Sequence, residues 1–563
     1  MSNPLPRTDV VIIGMGAAGG IASYVLTGAG LNVVGIEAGP RLDLKNFIQD
    51  YDEITSALNR NKYGDPKFNQ ELPTWRPTAD SEIQSASGGR MMNAVGGTSI
   101  HYGAQSWRFR RDDFLIRSST VERYGEAALP EGHAIADWPV TYDDLEPFYD
   151  KVEYLIGVSG LGGSNSFESP RARDYPLPPL QTTGYMERAH AAMTNLGYHP
   201  FQQPAAILSE PYGDNRPACT YCGFCQWFGC WNGSKSSTLA SAIPAAEQTG
   251  RLEIRSNSRV MRILSNDQGQ VTGVEYVDEN GVLQEQPAGV VILSSFVYEN
   301  TRLLLLSPGA AYPNGLSNNH GQVGKYFISQ GLVSRLGLFP KEVLNLDSGS
   351  VSQATVIDDF NGDNFDHTGL NFIRGASIQA RNQELFPIVA SKRLAPGVPT
   401  WGSAYKRWLS ENSQSVGSSL AQLEVLPYQR NFLDLDPTRK DPKGVPVVRI
   451  TFDLGDNERT AFAFLKPKVD GILKEMGATE TWGADTIAPA PINTHLYGGT
   501  RFGDSPDMSV VDRYCLSHEA PNLAVIGGSN FPSTAGYNPT QTIQAVAWHA
   551  ADYIATHFQS IAV

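Results

Sequence analysis

The chain is short of basic charge, of long apolar runs and of dispersed cysteines, and each shortage excludes something. Against 58 Asp and Glu there are only 44 Lys and Arg, a formal charge of -14, so a phosphate backbone is repelled on average and nucleic acid is not expected as a partner. No apolar stretch approaches the roughly 20 residues needed to span a bilayer. The opening MSNPLPRTDVVIIG lacks the basic-then-apolar pattern and small-residue cleavage site of an export signal, so the bare sequence reads as cytoplasmic. Cys219, Cys222, Cys225 and Cys230 crowd into one stretch while Cys515 stands apart, a distribution unsuited to a disulfide framework and better suited to ligation. With 563 residues, 41% of them hydrophobic, the chain can bury a large core in two or more domain-sized units.

What is present begins at the amino terminus. Residues 9–13 form a Val- and Ile-rich run that suits a buried parallel strand, and Gly14-Met15-Gly16-Ala17-Ala18-Gly19 follows directly as a GxGxxG turn. Residues 20–28 have helical composition, with Ile21, Tyr24 and Val25 at three- and four-residue spacing, and residues 31–36 supply a second strand ending at Glu37. Strand, turn, helix, strand and acid together predict a dinucleotide-binding unit. Gly14 permits the tight turn, Gly16 lets the backbone approach a pyrophosphate, Gly19 packs helix on strand, and the helix N-terminus favours the anion. Glu37 can accept hydrogen bonds from a ribose and disfavours a 2'-phosphate, which selects FAD or NAD over NADP.

Asn93-Ala94-Val95-Gly96-Gly97-Thr98-Ser99-Ile100-His101-Tyr102 is a second glycine-rich loop, too far along the chain to serve the same turn. Near the other end come His495-Leu496-Tyr497-Gly498-Gly499-Thr500-Arg501-Phe502-Gly503, then Asn522-Leu523-Ala524-Val525-Ile526-Gly527-Gly528-Ser529, and finally Asn538-Pro539-Thr540. In this order the segments resemble the glucose-methanol-choline (GMC) oxidoreductase family over nearly the whole chain, most strongly at both ends. The cysteine-rich insertion and residues 358–367 and 431–437 are similar to the gluconate 2-dehydrogenase type of flavoprotein subunit within it. The resemblance implies a mixed α/β and α+β fold of the GMC and pyranose-oxidase kind. In it a Rossmann-like FAD-binding domain from residues 1–45, 85–330 and 485–563 stands beside a discontinuous substrate domain. The substrate domain takes residues 46–84 and 331–484 and is built on an antiparallel sheet. Within the first domain, residues 289–306 read as strand then helix, and residues 252–264 with 271–277 as paired strands. In the second, the β-branched residues 447–452 suggest a strand of the sheet covering the flavin.

The family also implies an alcohol oxidised by hydride transfer to FAD, which needs a group to accept the hydroxyl proton, and a neutral imidazole has a suitable pKa. The resemblance assigns that role to His495, with Asn538 orienting the hydroxyl. From residue 540 to 558, Ile543, Val546, Ala547, Ala550, Ile554 and Phe558 trace one helical stripe, and Pro539 stands at its start, where its missing N–H costs nothing. The positive end of that helix suits charge building on a flavin N1 and C2 carbonyl; a helix merely packed in the core would leave the same stripe. Cofactor contacts are further implied for Gly96, Gly97, Val260, Asn530, Pro539 and Thr540. His101 falls where some relatives carry a histidyl bond to the flavin 8α-methyl, though a histidine hydrogen-bonding near the dimethylbenzene ring leaves the same trace.

The Cys219-x2-Cys222-x2-Cys225-x4-Cys230 spacing, within the turn-rich loop 216–235, resembles an iron-sulfur loop, because a compact cluster needs thiolates converging from a tightly wound backbone. Zinc, which usually takes two CxxC pairs across a longer loop, is the second reading. Relatives suggest a three-iron cluster, and the fourth cysteine leaves [3Fe-4S] and [4Fe-4S] both open. A flavin accepts electrons in pairs and a cluster passes them singly, so a dehydrogenase feeding a cytochrome c or quinone is expected over an oxidase. The family further implies a small partner subunit carrying the export signal, a cytochrome c subunit, and hence a periplasmic, inner-membrane-associated complex. The alternative is a sugar oxidase using oxygen, with the cysteines holding a structural metal. Gluconate, another aldonate, an aldose or a glycoside all suit as substrate. The acidic stretch 358–366 lacks the glycine position and terminal Glu of a calcium loop and is expected to be a solvated loop.

Overall fold

The apolar amino-terminal run forms the strand Thr8–Ile13, whose Val10, Val11 and Ile12 are wholly buried in the interior of a seven-stranded sheet. It pairs in parallel with Val33–Ile36 on one side and Leu283–Leu293 on the other. Leu252–Arg255 extends one edge in parallel, and Leu523–Val525 also joins Leu283–Leu293 in parallel. The helix Ala17–Gly28 leaves the glycine turn and packs against the C-terminal helix Thr540–Ile561, with Tyr24 edge-on to Trp548 at 5.6 Å. The computed structural model describes residues 5–52, 72–86, 91–382, 391, 393–491 and 494–563; residues 53–71 of the segment 46–84 expected in the substrate domain lie outside them.

The expected strand over 252–264 is two strands. Its backbone breaks where Asn257 N donates to Gly39 O at 2.8 Å and Ser258 N donates to Glu37 O at 2.9 Å, docking the break onto the end of the nucleotide unit. Arg259–Ser265 then leaves the parallel layer and pairs antiparallel with Val271–Val277.

Facing this layer is a six-stranded antiparallel sheet in the order Glu480–Gly483, Gly331–Leu338, Val416–Leu423, Ala376–Arg381, Ala354–Ile357, Phe201–Gln202. Side chains alternate across it with the two-residue period of a strand. Ala376, Ile378 and Ala380 point away from the first domain and share a core with Ala421, Leu423 and the helix residues Leu465, Val469 and Ile472. The residues between them face the first domain: Ser377 Oγ donates to Gly536 O at 2.6 Å, and Gln379 Oε1 accepts from Gln105 Nε2 at 3.2 Å. Phe201–Gln202 and the helix Gly184–Asn195, from the stretch expected in the FAD domain, pack with this second unit. The strand pairs with Ala354–Ile357, and Tyr185, Ala189 and Met193 enter the same core.

Two expectations are corrected. Strand Pro446–Thr451 does not cover the cleft with the six-stranded sheet. It belongs to a separate four-stranded sheet with Phe432–Lys440, Thr74–Arg76 and Gln84–Ser85, because Arg302, from a helix of the first domain, holds Pro446 O at 2.7 Å and Asp441 at 2.8 Å. Nor is 358–366 a solvated loop: Asp358 and Asn361 are completely buried. The Asp358 carboxylate accepts from Tyr537 Oη, from Asn165 Nδ2 at 2.6 Å and from Asn361 Nδ2 at 3.1 Å, so the loop braces the turn that leads to Asn538. Among the described residues no helix is long and apolar enough to cross a membrane.

Candidate active site

A cleft enclosing about 1730 Å³ of empty space, open solvent at its mouth included, runs from the nucleotide unit to the six-stranded sheet. Gly14, Gly16, Glu37, Gly97, His101, Val260, His495, Asn538, Pro539 and Thr540 all line it. Segments far apart in the sequence thus meet on one cavity.

At the nucleotide end the walls are backbone. Gly14 takes φ +90°, and a Cβ on Gly19 would lie 2.1 Å from the Gly14 carbonyl oxygen. The second glycine loop docks on the first: Gly96 N donates to Met15 O at 2.7 Å, and a Cβ on Gly97, at φ +54°, would lie 2.9 Å from Gly16 Cα. Gly16 is the cap of the helix Ala17–Gly28 and has no side chain to cover the first-turn N–H groups, which leaves them for an anion. Glu37 Oε2 accepts from Met15 N at 3.0 Å and Oε1 from Gly39 N at 2.9 Å, and burial pushes its carboxyl up to about 7. These residues fit a dinucleotide cofactor: a glycine cradle, a bare helix start and an acid one strand away. Gly19 and Gly96 shape the cradle without lining the cleft. Asn530, expected to touch the cofactor, does not line it either. Its amide is spent on Val525 O and on Thr500 Oγ1 at 2.9 Å, so it braces the last strand and the turn after it.

At the opposite end the site is made of side chains. Gln330 stands just ahead of the strand Gly331–Leu338, and its Nε2 donates to Ala535 O at 2.6 Å. That bond turns Gln330 Oε1 to His495 Nδ1 at 2.6 Å. A carbonyl oxygen only accepts, so Nδ1 carries the proton and Nε2 keeps its lone pair. Gln422 Nε2 donates to the same Gln330 oxygen at 3.1 Å and fixes it from the neighbouring strand. Asn538 Nδ2 donates to His495 Nε2 at 3.1 Å. Burial, helped by the charge of Arg381, lowers the imidazole to about 4, so the ring is neutral at physiological pH with its base nitrogen toward Asn538. Gln330 and Gln422 were not singled out from the sequence. The available signal was the polar Gln422 within the fully buried strand Val416–Leu423.

His101 is buried against the cleft and stacks on Trp227 with ring centroids 6.0 Å apart. Trp227 belongs to the cysteine loop, and its N–H donates to His101 O at 2.8 Å. Buried Lys235 ties the two loops further, donating to Tyr102 O at 3.1 Å, Cys225 O at 2.6 Å and Phe228 O at 2.7 Å. Cys219, Cys222, Cys225 and Cys230 line one small pocket behind this wall. Tyr221 N donates to Cys219 Sγ and Lys235 N to Cys230 Sγ, each at 3.4 Å. The thiols share a pocket without forming a ready ligand set: among the described residues no three His, Cys, Asp or Glu are arranged to hold a metal ion. Burial pushes the Cys219 thiol up to about 11 and raises Cys222 as well, so loading a metal there requires expelling protons and turning the thiols inward.

Fold and cleft define a dinucleotide-dependent oxidoreductase with a neutral imidazole beside the start of its last helix. Models of the GMC oxidoreductase family match residues 134–330 and 427–547. The chain is 33% identical to the gluconate 2-dehydrogenase flavoprotein of Pantoea cypripedii over 98% of this chain and 94% of that one. It is 27% identical to the fructose dehydrogenase large subunit of Gluconobacter japonicus, over 98% and 99% of the two chains. Pyridoxine 4-oxidase from Mesorbium loti shares the fold, with a TM-score of 0.65 at 17% identity, covering 98% of this chain and all of that one (100%). The chain therefore belongs to the GMC oxidoreductase family and is an FAD-dependent oxidoreductase acting on CH–OH groups.

Proposed function

We propose that this chain is the FAD-carrying subunit of a dehydrogenase that oxidises a secondary or anomeric hydroxyl of a sugar or aldonate. The observation that carries this reading is the fixed tautomer of His495, whose Nε2 is held as an acceptor by the Gln330 bond to Nδ1. When bound, the flavin supplies a two-electron acceptor for the carbinol hydride. The chain's own residues do the rest: His495 Nε2 takes the hydroxyl proton, Asn538 orients the oxygen, and Gln105, which lines the cleft, offers an amide that suits a polyhydroxylated ligand.

The four thiols are proposed to hold an iron-sulfur cluster, supported by Gln226 and Trp227 lining the cleft while Cys225 lines the thiol pocket. Such a centre would supply one-electron chemistry beside the flavin and favours a cytochrome c or quinone over oxygen. The names of the relatives from Pantoea cypripedii and Gluconobacter japonicus, a flavoprotein and a large subunit, support partner subunits here too. A small partner carrying the export signal would bring the complex to the periplasm. His101 is proposed to bond the flavin covalently, supported by its place on the cleft wall.

Anaerobic mixing of the purified complex with sugars and aldonates tests the reading. Flavin bleaching with a paramagnetic iron signal is expected; no bleaching by any of them sinks it. Fast reoxidation in air with peroxide and no iron would instead establish an oxidase.

A further inference from the structure

The reading of the cleft as a site for a sugar-type hydroxyl leaves the charge of the donor open, and the wall facing His495 bears on it. Strand Ala376–Arg381 turns Ser377, Gln379 and Arg381 toward the first domain, as its period of two requires. Arg381 lines the cleft together with Thr494, His495 and Asn538. Among the described residues lining the cleft, the other charged side chains are Glu37, Arg259 and Glu299. Glu37 belongs to the nucleotide unit. Arg259 follows Ser258, whose N–H is bonded to Glu37 O, and so stands with the nucleotide unit. A neutral polyol would be served by amide and hydroxyl groups such as those of Gln105 and Asn538; a guanidinium half-buried at the reacting end adds a planar fork of donors matched to a carboxylate. The acidic balance of the chain, at -14, would otherwise disfavour an anionic ligand, and a local cation offsets it where it matters.

We propose that Arg381 receives a carboxylate of the substrate, so that the donor oxidised here is a hydroxy-carboxylate of the sugar-acid type. This deepens the functional reading above and rests on it. The acid group sits on the guanidinium and the carbinol is presented to His495 Nε2. Arg381 is a specificity residue and takes no part in proton transfer. A lysine there would keep the charge and lose the fork.

The test uses flavin-loaded protein and three matched pairs: gluconate and gluconamide, galactonate and galactonamide, glycerate and glyceramide. Two quantities are read: kcat and KM for anaerobic flavin bleaching, and equilibrium binding to the dithionite-reduced protein by tryptophan fluorescence, where no turnover interferes. For the best pair the wild type is expected to favour the acid over its amide by about 50-fold, mostly in KM, as for a charge-assisted bidentate contact. Arg381→Gln should bring that ratio to within a few-fold of one, and Arg381→Lys should restore about a tenth of the preference. Flavin absorbance and melting temperature report whether each variant is intact. Equal use of acid and amide by the wild type overturns the proposal. So does an Arg381→Gln protein that loses kcat equally on both members of a pair, which would mark the arginine as a partner of the flavin or of the fold. Arg381-dependent binding of an acid that never bleaches the flavin would uphold the carboxylate subsite and sink the oxidation reading. Bleaching by an acid with an unaltered KM in Arg381→Gln would do the reverse.

Discussion

The two ends of the cleft are built from different materials. At the nucleotide end, glycines at positions 14, 19 and 97 bring backbone against backbone, and an added Cβ would lie 3.0 Å or less from a neighbouring backbone atom. At the catalytic end, His495 is held by the amides of Gln330 and Asn538, with Gln422 fixing Gln330, and the three belong to separate segments of the chain. A backbone cradle is sensitive to volume and indifferent to charge; an amide-held imidazole is sensitive to hydrogen-bond polarity and charge. Substitutions can set one end against the other.

The largest effect is expected from Gly19→Ala. Its Cβ would lie 2.1 Å from the Gly14 carbonyl oxygen, so the helix must shift off the strand or the turn must open, at about 3 kcal/mol. The variant should retain almost no flavin, read as the ratio of absorbance at about 450 nm to protein absorbance; a wild-type ratio would show that the cradle has slack. His495→Ala should retain its flavin and its donor affinity while flavin reduction slows about a thousandfold, within the range for a positioned general base. A loss of under tenfold in stopped-flow reduction would remove His495 from the chemistry.

The same contrast explains what was legible in advance. The nucleotide unit could be read because residues 14–37 form one contiguous unit and each glycine answers a local steric demand. That Gly97 closes on Gly16 could not be read, since no local pattern encodes which loop docks on which. His495 and Asn538 were reached through the family motif. Gln330 and Gln422 carry no motif and reach the ring only through the tertiary fold, one from just ahead of strand Gly331–Leu338 and the other from within its neighbour Val416–Leu423. The stretch 358–366 misled for a related reason: acidic composition suggests solvent, yet the Asp358 carboxylate is hydrogen-bonded in the interior by Tyr537, Asn165 and Asn361, all distant or unremarkable in the sequence. Asn530, expected at the cofactor from the family motif, has its amide bonded to Val525 and Thr500, a role that no local pattern announces.

Gln330 gives an effect of intermediate size. Gln330→Leu removes the acceptor at Nδ1, frees the imidazole to take the other tautomer, and should lower kcat about 30-fold with little change in KM, as expected for a lost orienting bond. Gln330→Glu tests polarity. Wild-type His495 is lowered from 6.5 to about 4 by burial and the Arg381 charge, so the acid limb of kcat/KM is expected near 4. A carboxylate at Nδ1 favours the imidazolium and should move that limb toward neutrality, with activity lost between the old limb and the new one. The linked stability has a matching sign. A depressed histidine destabilises the fold progressively as pH falls from 6.5 toward 4, and Gln330→Glu should blunt that loss. An acid limb that stays put in Gln330→Glu would mean that Nδ1 does not face this side chain.

The smallest effect on turnover is expected at Glu37, where the nucleotide end carries its one buried carboxyl among the cleft-lining residues described. Desolvation by burial outweighs the N–H groups of Met15 and Gly39 and raises it from 4.5 to about 7. A carboxyl raised on folding binds its proton more tightly in the native state, so its stabilising contribution is complete below 4.5 and is lost as pH rises through 7. Flavin-free protein should therefore be less stable at pH 8 than at pH 5, and melt at a lower temperature, by an amount on the order of 2 kcal/mol, since each tenfold gain in proton affinity is worth about 1.4 kcal/mol and other groups dilute it. Glu37→Gln cannot ionise and should flatten that slope while weakening flavin retention, because one carboxamide oxygen replaces the two that accept from Met15 and Gly39. Melting temperatures of the two proteins across this range decide the matter: parallel curves would mean that Glu37 is solvated in the flavin-free cleft, and the backbone-built end would then be less closed than its glycines imply.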